Sequence, residues 1–293
     1  MLFTIVIPTF NRIAPLDRCL TAIAGLRYPR GNFEVLVIDD GSQPPPDEVI
    51  ARHASALALR CLRNDRKGPA GARNCGLRHA RGEFVVFTDD DCLPQADWLT
   101  AFERGFHQHP KAGLGGGIVN HPEDGILGVS SQLLVSFLYQ YAASHPSNLA
   151  FFCSNNLAFP QRDLLSIGGF EERFPLAAAE DRDVCARWAR HGQMHFVPDA
   201  LVQHRQQLNV ASFWAQHYRY GRGAAHFWKL RHEQGDAGRR LASLGFYSKM
   251  LAFPFFKASF PRALVISALF AISQVACAAG YFAERSRLKR DER

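Results

Sequence analysis

The sequence lacks the short signatures of several common protein classes. Its seven cysteines are odd in number and contain no CxxC pair, so neither a zinc motif nor a disulfide framework is expected. No GxxxxGKS or GxxxxGKT phosphate loop occurs, and the glycines of 113–120 have neither the GxGxxG spacing nor the strand-then-helix context of a dinucleotide fingerprint. ATP hydrolysis and dinucleotide redox chemistry are therefore not expected, and these glycines predict a tightly packed strand instead.

Signals for export, repeats and nucleic-acid binding are also missing. The N-terminal MLFTIVIPTFNR has too short an apolar run for a signal peptide and no charged region before it, so we expect a first strand there. The chain has 27 acidic residues against 34 Lys and Arg, for a net charge of +7, but its arginines are scattered and no aromatic–basic ribonucleoprotein pattern occurs. No nucleic acid is expected as a partner; an anionic membrane or a phosphorylated substrate fits the charge.

The first 90 residues contain four apolar runs that end in polar residues. Segments with helical spacing or helix signals separate these runs. We predict strands at 4–11, 33–42, 57–64 and 84–90, and helices around 16–24, at 47–57 and after residue 71. The alternation predicts an α/β sandwich with a mostly parallel sheet.

Polar side chains follow each predicted strand. They are Thr9 and Asn11, Asp39 and Asp40, the segment from Asn64 to Lys67, and Asp89 to Asp91. Because ligands of such sheets bind at the carboxyl ends of the strands, the four ends together predict a ligand cleft. Three adjacent carboxylates repel one another unless a cation or a bound partner compensates them, although a solvated turn at a strand end is an alternative explanation.

A helix is predicted at EDRDVCARWARHG (180–192). Acidic residues occupy its first turn, Val184 and Trp188 are one turn apart, and Gly192 ends it. Acidic residues in a first helical turn are explained by the helix dipole alone. A catalytic role for Glu180, Asp181 or Asp183 therefore needs support from other segments of the sequence.

Eight segments in a fixed order carry a family resemblance. TIVIPTFNR, VLVIDDGS, NDRKGPAGARNCGLRHARG, FVVFTDDDC, SNNLAFP, IGGFEERF, AEDRDVCARWARHG and PDALVQH resemble the family 2 glycosyltransferases of GT-A fold. The resemblance implies an α/β, Rossmann-like catalytic domain over 1–205, with a nucleotide-sugar half at about 1–92 and an acceptor half at about 93–205. It also implies an enzyme that moves a sugar from a nucleotide diphosphate to an acceptor hydroxyl with inversion.

The resemblance implies a divalent cation, Mn²⁺ or Mg²⁺. Asp89 and Asp91 match the two ends of the DxD motif of the family, and we expect Asp91 to bind the metal directly. Asp89 would reach the ribose or a metal-bound water, and Asp90 would point away. His204 is a candidate third metal ligand or a contact of the diphosphate; the alternative is a packed or solvated histidine.

The resemblance also implies a donor site, most readily for a UDP-sugar, because a carboxylate after the second strand can accept from a uracil N–H. The donor-binding candidates are Pro8, Thr9, Asn11, Asp39, Asp40, Lys67, Gly71, Arg73, Asn74 and Asp89. A helix N-terminus near residue 71 suits phosphate, and the alternative for Arg73 is an ordinary surface arginine.

Asp181 matches the aspartate of the ED motif of the family, which is the general base. A position in the first helical turn favours its ionised form, as a base requires. Glu180 would orient Asp181 or the acceptor, and Asp183 is expected on the surface or on the acceptor side. Asn156 matches an asparagine on the acceptor side, with a turn residue as the alternative.

The last third of the chain predicts membrane association. Residues 206–245 mix aromatic and basic residues in a predicted amphipathic helix, and 246–293 forms a membrane-associating segment whose part 246–260 suits an interfacial helix. Residues 263–283 carry no charge and are long enough to span a bilayer, although a buried core helix is the alternative. Whether this segment crosses the membrane, forms a hairpin or lies flat is left open by the sequence.

Membrane association favours a catalytic domain in the cytoplasm, where nucleotide sugars are made, and a lipid or lipid-linked acceptor. Two other functions are weighed against glycosyl transfer. A sugar nucleotidyltransferase would have a glycine-rich GxGTR-type loop, where this chain has VIPTFNR. A catalytically silent nucleotide-sugar-binding protein would not need Asp89, Asp91 and Asp181, all of which are present.

Overall fold

The chain forms two compact units. The computed structural model describes residues 1–64, 67–144, 151–174, 178–235 and 243–291. The first unit comprises 1–119, 146–175 and 180–205, and the second comprises 120–145, 176–179 and 206–293. The functional division of 1–205 into donor and acceptor halves stays a prediction. Residues 65–66 and 236–242, which belong to two of the predicted segments, lie outside the described residues.

Strands and helices alternate along the N-terminal part of the chain. The elements are β1 (Phe3–Thr9), α1 (Ile13–Ala24), β2 (Phe33–Asp39), α2 (Asp47–His53), β3 (Leu59–Arg63), α3 (Gly68–His79), β4 (Phe84–Thr88), β5 (Cys92–Pro94), α4 (Trp98–Gln108), β6 (Gly113–Asn120), α5 (Ile126–Ala143), β7 (Asn156–Pro160), α6 (Gln161–Ser166), α7 (Glu180–Trp188), β8 (Met194–His204), α8 (Val210–Glu233), α9 (Leu244–Ala252) and α10 (Phe260–Asp291). The four strands predicted in the first 90 residues are confirmed as β1 to β4.

The strands form one sheet in the order β3-β2-β1-β4-β7-β6-β8-β5. β3, β2, β1 and β4 are parallel, as the alternation of strands and helices predicts. Antiparallel pairing begins between β4 and β7, and it recurs between β7 and β6 and between β8 and β5. The α/β fold is confirmed, but its sheet is mixed, because β7, β6, β8 and β5 extend the parallel half through antiparallel pairs.

Glycines allow close packing on both halves of the sheet. A Cβ on Gly76 of α3 would lie 2.3 Å from Val6 Cγ1, so a larger residue there would push the helix away from β1. A Cβ on Gly115 of β6 would lie 1.9 Å from the ring of Phe152. The glycine-rich segment 113–120 is therefore the tightly packed strand that the sequence predicts.

The described part of the second unit is helical. α8 begins at a capping box in which Asn209 and Ser212 exchange hydrogen bonds. The backbone of α8 approaches α10 closely, since a Cβ on Gly221 would lie 1.9 Å from the Cys277 carbonyl oxygen. An apolar cluster joins α5, α9 and α10 through Leu134, Phe137, Met250, Ile266 and Phe270.

The predicted C-terminal helices correspond to α8, α9 and α10. The apolar segment 263–283 lies inside α10, which is 32 residues long and has a mean hydropathy of 2.0 over its most apolar 18 residues. By length and composition α10 is able to cross a membrane, and 33% of that window is buried in the protein. The core helix of a soluble protein can have the same length and composition.

Candidate active site

The two aspartates after β2 hold the loops around them. Asp39 is buried and accepts a hydrogen bond from the backbone N–H three residues later, at 2.8 Å. Asp40 accepts from the Asn64 side-chain amide at 2.7 Å and from the backbone N–H groups of Lys67 at 3.0 Å and Gly68 at 2.9 Å. α3 consequently begins at Gly68, earlier than the sequence indicates, because Asp40 satisfies N–H groups at its N-terminus.

The end of β1 meets the acidic end of β4. Pro8 pairs in register with β2, and Thr9 Oγ1 donates to Asp90 Oδ2 at 2.8 Å. Asn11 has a left-handed backbone with φ 54°, and its side chain accepts from a backbone N–H of the loop after β2 at 2.8 Å. Parallel pairing thus brings the predicted polar residues of three strand ends together.

Asp90 and Asp91 differ in their surroundings and in their pKa values. Asp90 is buried, and burial raises the pKa of this carboxyl to about 7 against the opposing charge of Arg12. Asp91 lies 2.8 Å from Arg12 Nη2 and 3.4 Å from His204 Nε2. Burial alone would raise the pKa of Asp91, but His204 and Arg12 outweigh it and hold that pKa well below its usual range. Asp91 is therefore the ionised carboxylate of the pair.

Arg12 belongs to the site, although no sequence pattern indicated it. Its guanidinium contacts Asp91 Oδ2 at 2.8 Å and Asp90 Oδ1 at 3.2 Å. Asp90 does not point away from the cluster, contrary to expectation, because it shares this arginine with Asp91. The available signal was the position of Arg12 just after β1, which is the neighbour of β4 in the sheet.

Strand pairing brings His204 to Asp91. In the antiparallel register of β5 and β8, Cys92 lies opposite His204, and Asp91 Oδ1 lies 3.4 Å from His204 Nε2. One possible ligand atom from each of Asp91, Cys92 and His204 lies within 4.8 Å of the other two. Burial raises the pKa of the Cys92 thiol well above its usual value, and a soft sulfur donor does not suit the hard cations Mn²⁺ and Mg²⁺. Asp91 and His204 provide the oxygen and nitrogen donors that fit a divalent cation.

Asn155 is directed at His204. Its Nδ2 lies 3.5 Å from His204 Nδ1, and its Oδ1 is buried without a hydrogen-bond partner among the described residues. Rotating the amide by half a turn would let the oxygen accept from an Nδ1–H tautomer, which would leave Nε2 available to bind a cation. The family resemblance points to the neighbouring Asn156 instead.

Arg73 joins the two acidic segments of the site. Its Nη2 donates to Asp89 Oδ1 at 2.7 Å, and its Nη1 donates to Glu180 Oε1 at 2.9 Å. Arg73 is 3% exposed, and the ring of Phe170 lies 5.7 Å from its guanidinium carbon. The first turn of α7 and the end of β4, far apart in the sequence, therefore belong to one site.

Glu180 and Asp181 lie in the first turn of α7. Asp181 accepts hydrogen bonds from the backbone N–H groups of Ser154 at 3.4 Å and Arg182 at 2.7 Å. Burial, reinforced by the charge of Asp181, raises the pKa of Glu180 to about 7. Burial also raises the pKa of Asp181. Loss of hydration thus opposes the ionised form of Asp181, which the first helical turn favours.

Two predicted binding residues make structural contacts. Asn156 is fully buried, accepts from Trp98 Nε1 at 2.8 Å and donates to two backbone carbonyls at 2.8 and 2.7 Å. Asn74 donates to the Phe170 carbonyl and to Glu172 Oε1, both at 2.8 Å, and accepts from the Phe170 N–H. Because these amides already bond to the protein, we assign them to the fold and withdraw them as substrate contacts.

Two further expectations are revised by local packing. Asp183 is 1% exposed and pairs with Arg187 at 2.7 Å, one helical turn away, so it is neither a surface residue nor an acceptor contact as expected. A Cβ on Gly71 would lie 2.5 Å from Lys67 Cβ, which gives this glycine a packing role at the start of α3. The approach of the Gly71 backbone to phosphate stays a prediction.

The parallel half-sheet and the acidic residues at its carboxyl edge define the GT-A class of sugar transferases. Residues 4–166 match the model of the glycosyl transferase family 2, and the chain belongs to this family.

Relatives of known name are longer than this chain. The pre-mycofactocin glycosyltransferase of Mycobacterium tuberculosis is 30% identical over 229 residues, which cover 76% of this chain and 46% of the relative. The hyaluronan synthase of Pasteurella multocida is 27% identical over 239 residues, which cover 70% of this chain and 24% of the relative. The chain thus spans less than half the length of these relatives.

Two solved structures share the fold over nearly the whole chain. The mannosyltransferase PcManGT from Pyrobaculum calidifontis, in complex with GDP-Man and Mn²⁺, has a TM-score of 0.62 at 23% identity and covers 99% of this chain and 79% of its own. Residues 1–349 of Staphylococcus aureus TarS, in complex with UDP, give a TM-score of 0.58 at 16% identity, and the match covers 99% of this chain and 92% of that fragment. At these identities the likeness establishes the fold.

Proposed function

We propose that the first unit transfers a sugar from a nucleoside diphosphate sugar to an acceptor hydroxyl with inversion. The observation that carries the proposal is the buried Arg73 bridge, which holds Asp89 beside Glu180. Inverting displacement needs a leaving-group site and a base that are held in one fixed arrangement. Membership of the family supports the reaction class.

The donor is proposed to bind at the ends of β1, β2 and β4. Its candidate contacts are Pro8, Thr9, Asn11, Asp39, Asp40, Lys67, Gly71 and Asp89. Asp39 can accept from a uracil N–H, so we favour a UDP-sugar, and TarS was solved with UDP. PcManGT was solved with GDP-Man, so the test includes guanine donors. Arg73, whose two Nη atoms donate to Asp89 and Glu180, is assigned to positioning rather than to donor contact.

We propose that Mn²⁺ or Mg²⁺ binds at Asp91 and His204, with Asp89 as a further candidate. The 3.4 Å separation of Asp91 Oδ1 and His204 Nε2 suits two ligands of one ion. Such a cation, when bound, would neutralise charge on the diphosphate leaving group. PcManGT was solved with Mn²⁺, which supports this choice. Arg12 holds the second oxygen of Asp91 and fixes the orientation of that carboxylate.

Asp181 is the proposed general base. It accepts the proton of the acceptor hydroxyl while the oxygen attacks the anomeric carbon, and the diphosphate leaves with the electrons of the broken bond. The raised pKa of Asp181 makes it a stronger base than an ordinary aspartate. Glu180 is held by Arg73 and positions the first turn of α7, and with it Asp181.

The second unit is proposed to attach the enzyme to a membrane, with the first unit in the cytoplasm. α10 supplies an apolar surface, and a membrane-attached transferase would meet a lipid or lipid-linked acceptor. This part of the proposal is independent of the reaction chemistry.

A donor panel tests the proposed reaction. Purified full-length protein is incubated with UDP- and GDP-linked sugars with and without Mn²⁺, and release of nucleoside diphosphate is measured. Release from at least one donor, dependent on the cation, is expected. Asp181→Asn should retain donor binding and lose turnover by about 10²–10⁴-fold, as removal of a general base does.

The matched control is Asp199→Asn, which makes the same change at a 76%-exposed side chain. It should keep full turnover. An active Asp181→Asn variant would remove Asp181 as the base, and absence of release from every donor would contradict the proposed reaction.

A further inference from the structure

α10 has one face that packs against the described part of the second unit and an opposite, apolar face that is exposed there. The buried face consists of Ala263, Ile266, Phe270, Ser273, Ala276, Gly280 and Glu284, which recur at intervals of three and four residues. The opposite face, which we call the outer face, consists of Phe260, Leu264, Val265, Ile272, Val275 and Phe282, each more than 40% exposed. An exposed apolar stripe of this length marks an interaction surface.

The buried face ties α10 to a charged helix. A Cβ on Gly280 would lie 2.0 Å from the Tyr218 carbonyl oxygen, so α8 and α10 are in backbone contact. Glu284 of α10 bonds to Arg222 of α8 and, at 2.9 Å, to His226. Arg219 of α8 lies next to this contact. Because Tyr218 and Gly221 lie beside Gly280 and Cys277, an α10 that spanned a bilayer would take Arg219 and Arg222 into or against the hydrocarbon. The packing of the second unit therefore favours a helix that lies on the bilayer.

Both ends of the outer face carry aromatic or basic groups suited to an interface. Phe255 and Phe256 are exposed just before α10, together with Lys257. Lys289 and Arg290 are exposed at its other end. A helix lying in the membrane plane places both ends at the same depth, where basic residues meet anionic headgroups. If two copies of the chain paired through their outer faces, parallel or antiparallel, their basic ends would lie next to each other and repel. A second copy of the chain therefore fits the outer face less well than an anionic bilayer does.

We propose that the outer face of α10 docks in the plane of an anionic bilayer surface, with its apolar side chains among the acyl chains and its basic ends at the headgroups. This inference rests on the proposed membrane attachment and specifies its geometry. It does not depend on the identity of the donor or the acceptor.

Depth-dependent quenching tests the geometry. Leu264→Trp, Ile272→Trp and Phe282→Trp are made separately in the full-length protein, which is bound to vesicles of equal parts phosphatidylcholine and phosphatidylglycerol. Lipids brominated at shallow or deep acyl positions quench the fluorescence, and the signal of the unsubstituted protein is subtracted. Docking in the plane predicts shallow quenching of equal strength at all three positions. Deep quenching at position 272 with shallow quenching at 264 and 282 would establish a spanning helix and overturn the proposal.

Binding variants test the surface itself. Ile272→Glu should weaken vesicle binding by about tenfold or more, whereas Val210→Glu, the same kind of change at a 77%-exposed residue of α8, should not. Lys289→Gln combined with Arg290→Gln keeps the apolar face and should weaken binding to anionic vesicles while leaving binding to phosphatidylcholine vesicles unchanged. An equal loss of vesicle binding in Ile272→Glu and Val210→Glu would contradict docking through the outer face. So would a dimer of the unsubstituted protein that dissociates in Ile272→Glu but not in Val210→Glu.

Donor turnover is measured on the same proteins in detergent. In-plane quenching without turnover from any donor would defeat the proposed reaction and leave the docking geometry in place. Turnover by a protein that does not bind vesicles would support the proposed reaction and contradict the docking geometry.

Discussion

Replacing Arg73 by methionine should lower both stability and turnover, and the structure sets the size of the first effect. Arg73 is 3% exposed and makes two charge-assisted hydrogen bonds, to Asp89 and Glu180. Removing one partner of a buried ion pair costs about 3–5 kcal/mol, because the remaining charge is left uncompensated. We expect the lower value, about 3 kcal/mol, because Glu180, whose pKa is about 7, can take up a proton and Asp89 is 31% exposed.

A second substitution separates the charge effect from the loss of packing. Glu180→Gln in the Arg73→Met background removes the uncompensated buried carboxylate and should recover about half of the lost free energy of unfolding. Turnover should stay low in the double variant, because Arg73 no longer holds α7 against the end of β4. Arg187→Met is the control, since Arg187 pairs with buried Asp183 elsewhere on α7. It should lose stability and keep the kcat of the folded enzyme.

Urea unfolding followed by circular dichroism gives the free energies of unfolding, and nucleoside diphosphate release gives kcat and KM. We expect kcat to fall by about 10²-fold in Arg73→Met, as a misplaced catalytic group does. A variant with wild-type kcat, or a double variant no more stable than Arg73→Met, would refute the bridge as the element that assembles the site.

Two further predictions concern the cation and the pH dependence of stability. His204→Ala should weaken Mn²⁺ binding by about 10–100-fold, as measured by the paramagnetic resonance of the free ion. His107→Ala, a control at a 79%-exposed side chain, should leave Mn²⁺ binding unchanged. Equal Mn²⁺ affinities in the two variants would contradict the assignment of His204 as a metal ligand. The free energy of unfolding should fall as pH rises from about 5 to about 7, because the raised pKa of Glu180 makes the folded state bind more protons than the unfolded state in this range. Asp90, whose pKa is also raised to about 7, acts in the same range, so each of the two groups contributes up to about 1.4 kcal/mol per pH unit. Glu180→Gln should therefore reduce the slope by about half, and an unchanged slope would show that Glu180 does not titrate in this range.

Local sequence signals predicted the parallel half of the sheet. Apolar β-branched runs and the polar residues that end them identify β1 to β4, because both signals depend on neighbours in the chain. Parallel pairing then forces these strand ends to one edge. The grouping of Thr9, Asp39, Asp40 and Asp89–Asp91 could therefore be inferred without coordinates.

Contacts set by strand register or by side-chain direction could not be predicted in this way. The proximity of His204 to Asp91 depends on the register of β5 and β8, which no local pattern encodes. The same limit applies to Asn155 and Asn156, since adjacent residues at the start of a strand point to opposite sides. Arg73 was selected, but its partners Asp89 and Glu180 are joined only by the tertiary fold.

The charge balance of the site gives a physical reason for donor binding to depend on a cation. Among the described residues, the acidic groups that follow β4 and begin α7 are Asp89, Asp90, Asp91, Glu180 and Asp181, and the guanidinium groups bound to them are those of Arg12 and Arg73. The pKa of about 7 at both Asp90 and Glu180 lets the protein hold protons on two of the five carboxyls, while Asp91 stays ionised beside His204. An anionic diphosphate that approaches the remaining carboxylates is repelled unless positive charge lies between them. Adding Mn²⁺ should therefore strengthen the binding of UDP itself, and equal affinity with and without the cation would contradict the assignment of Asp91 and His204.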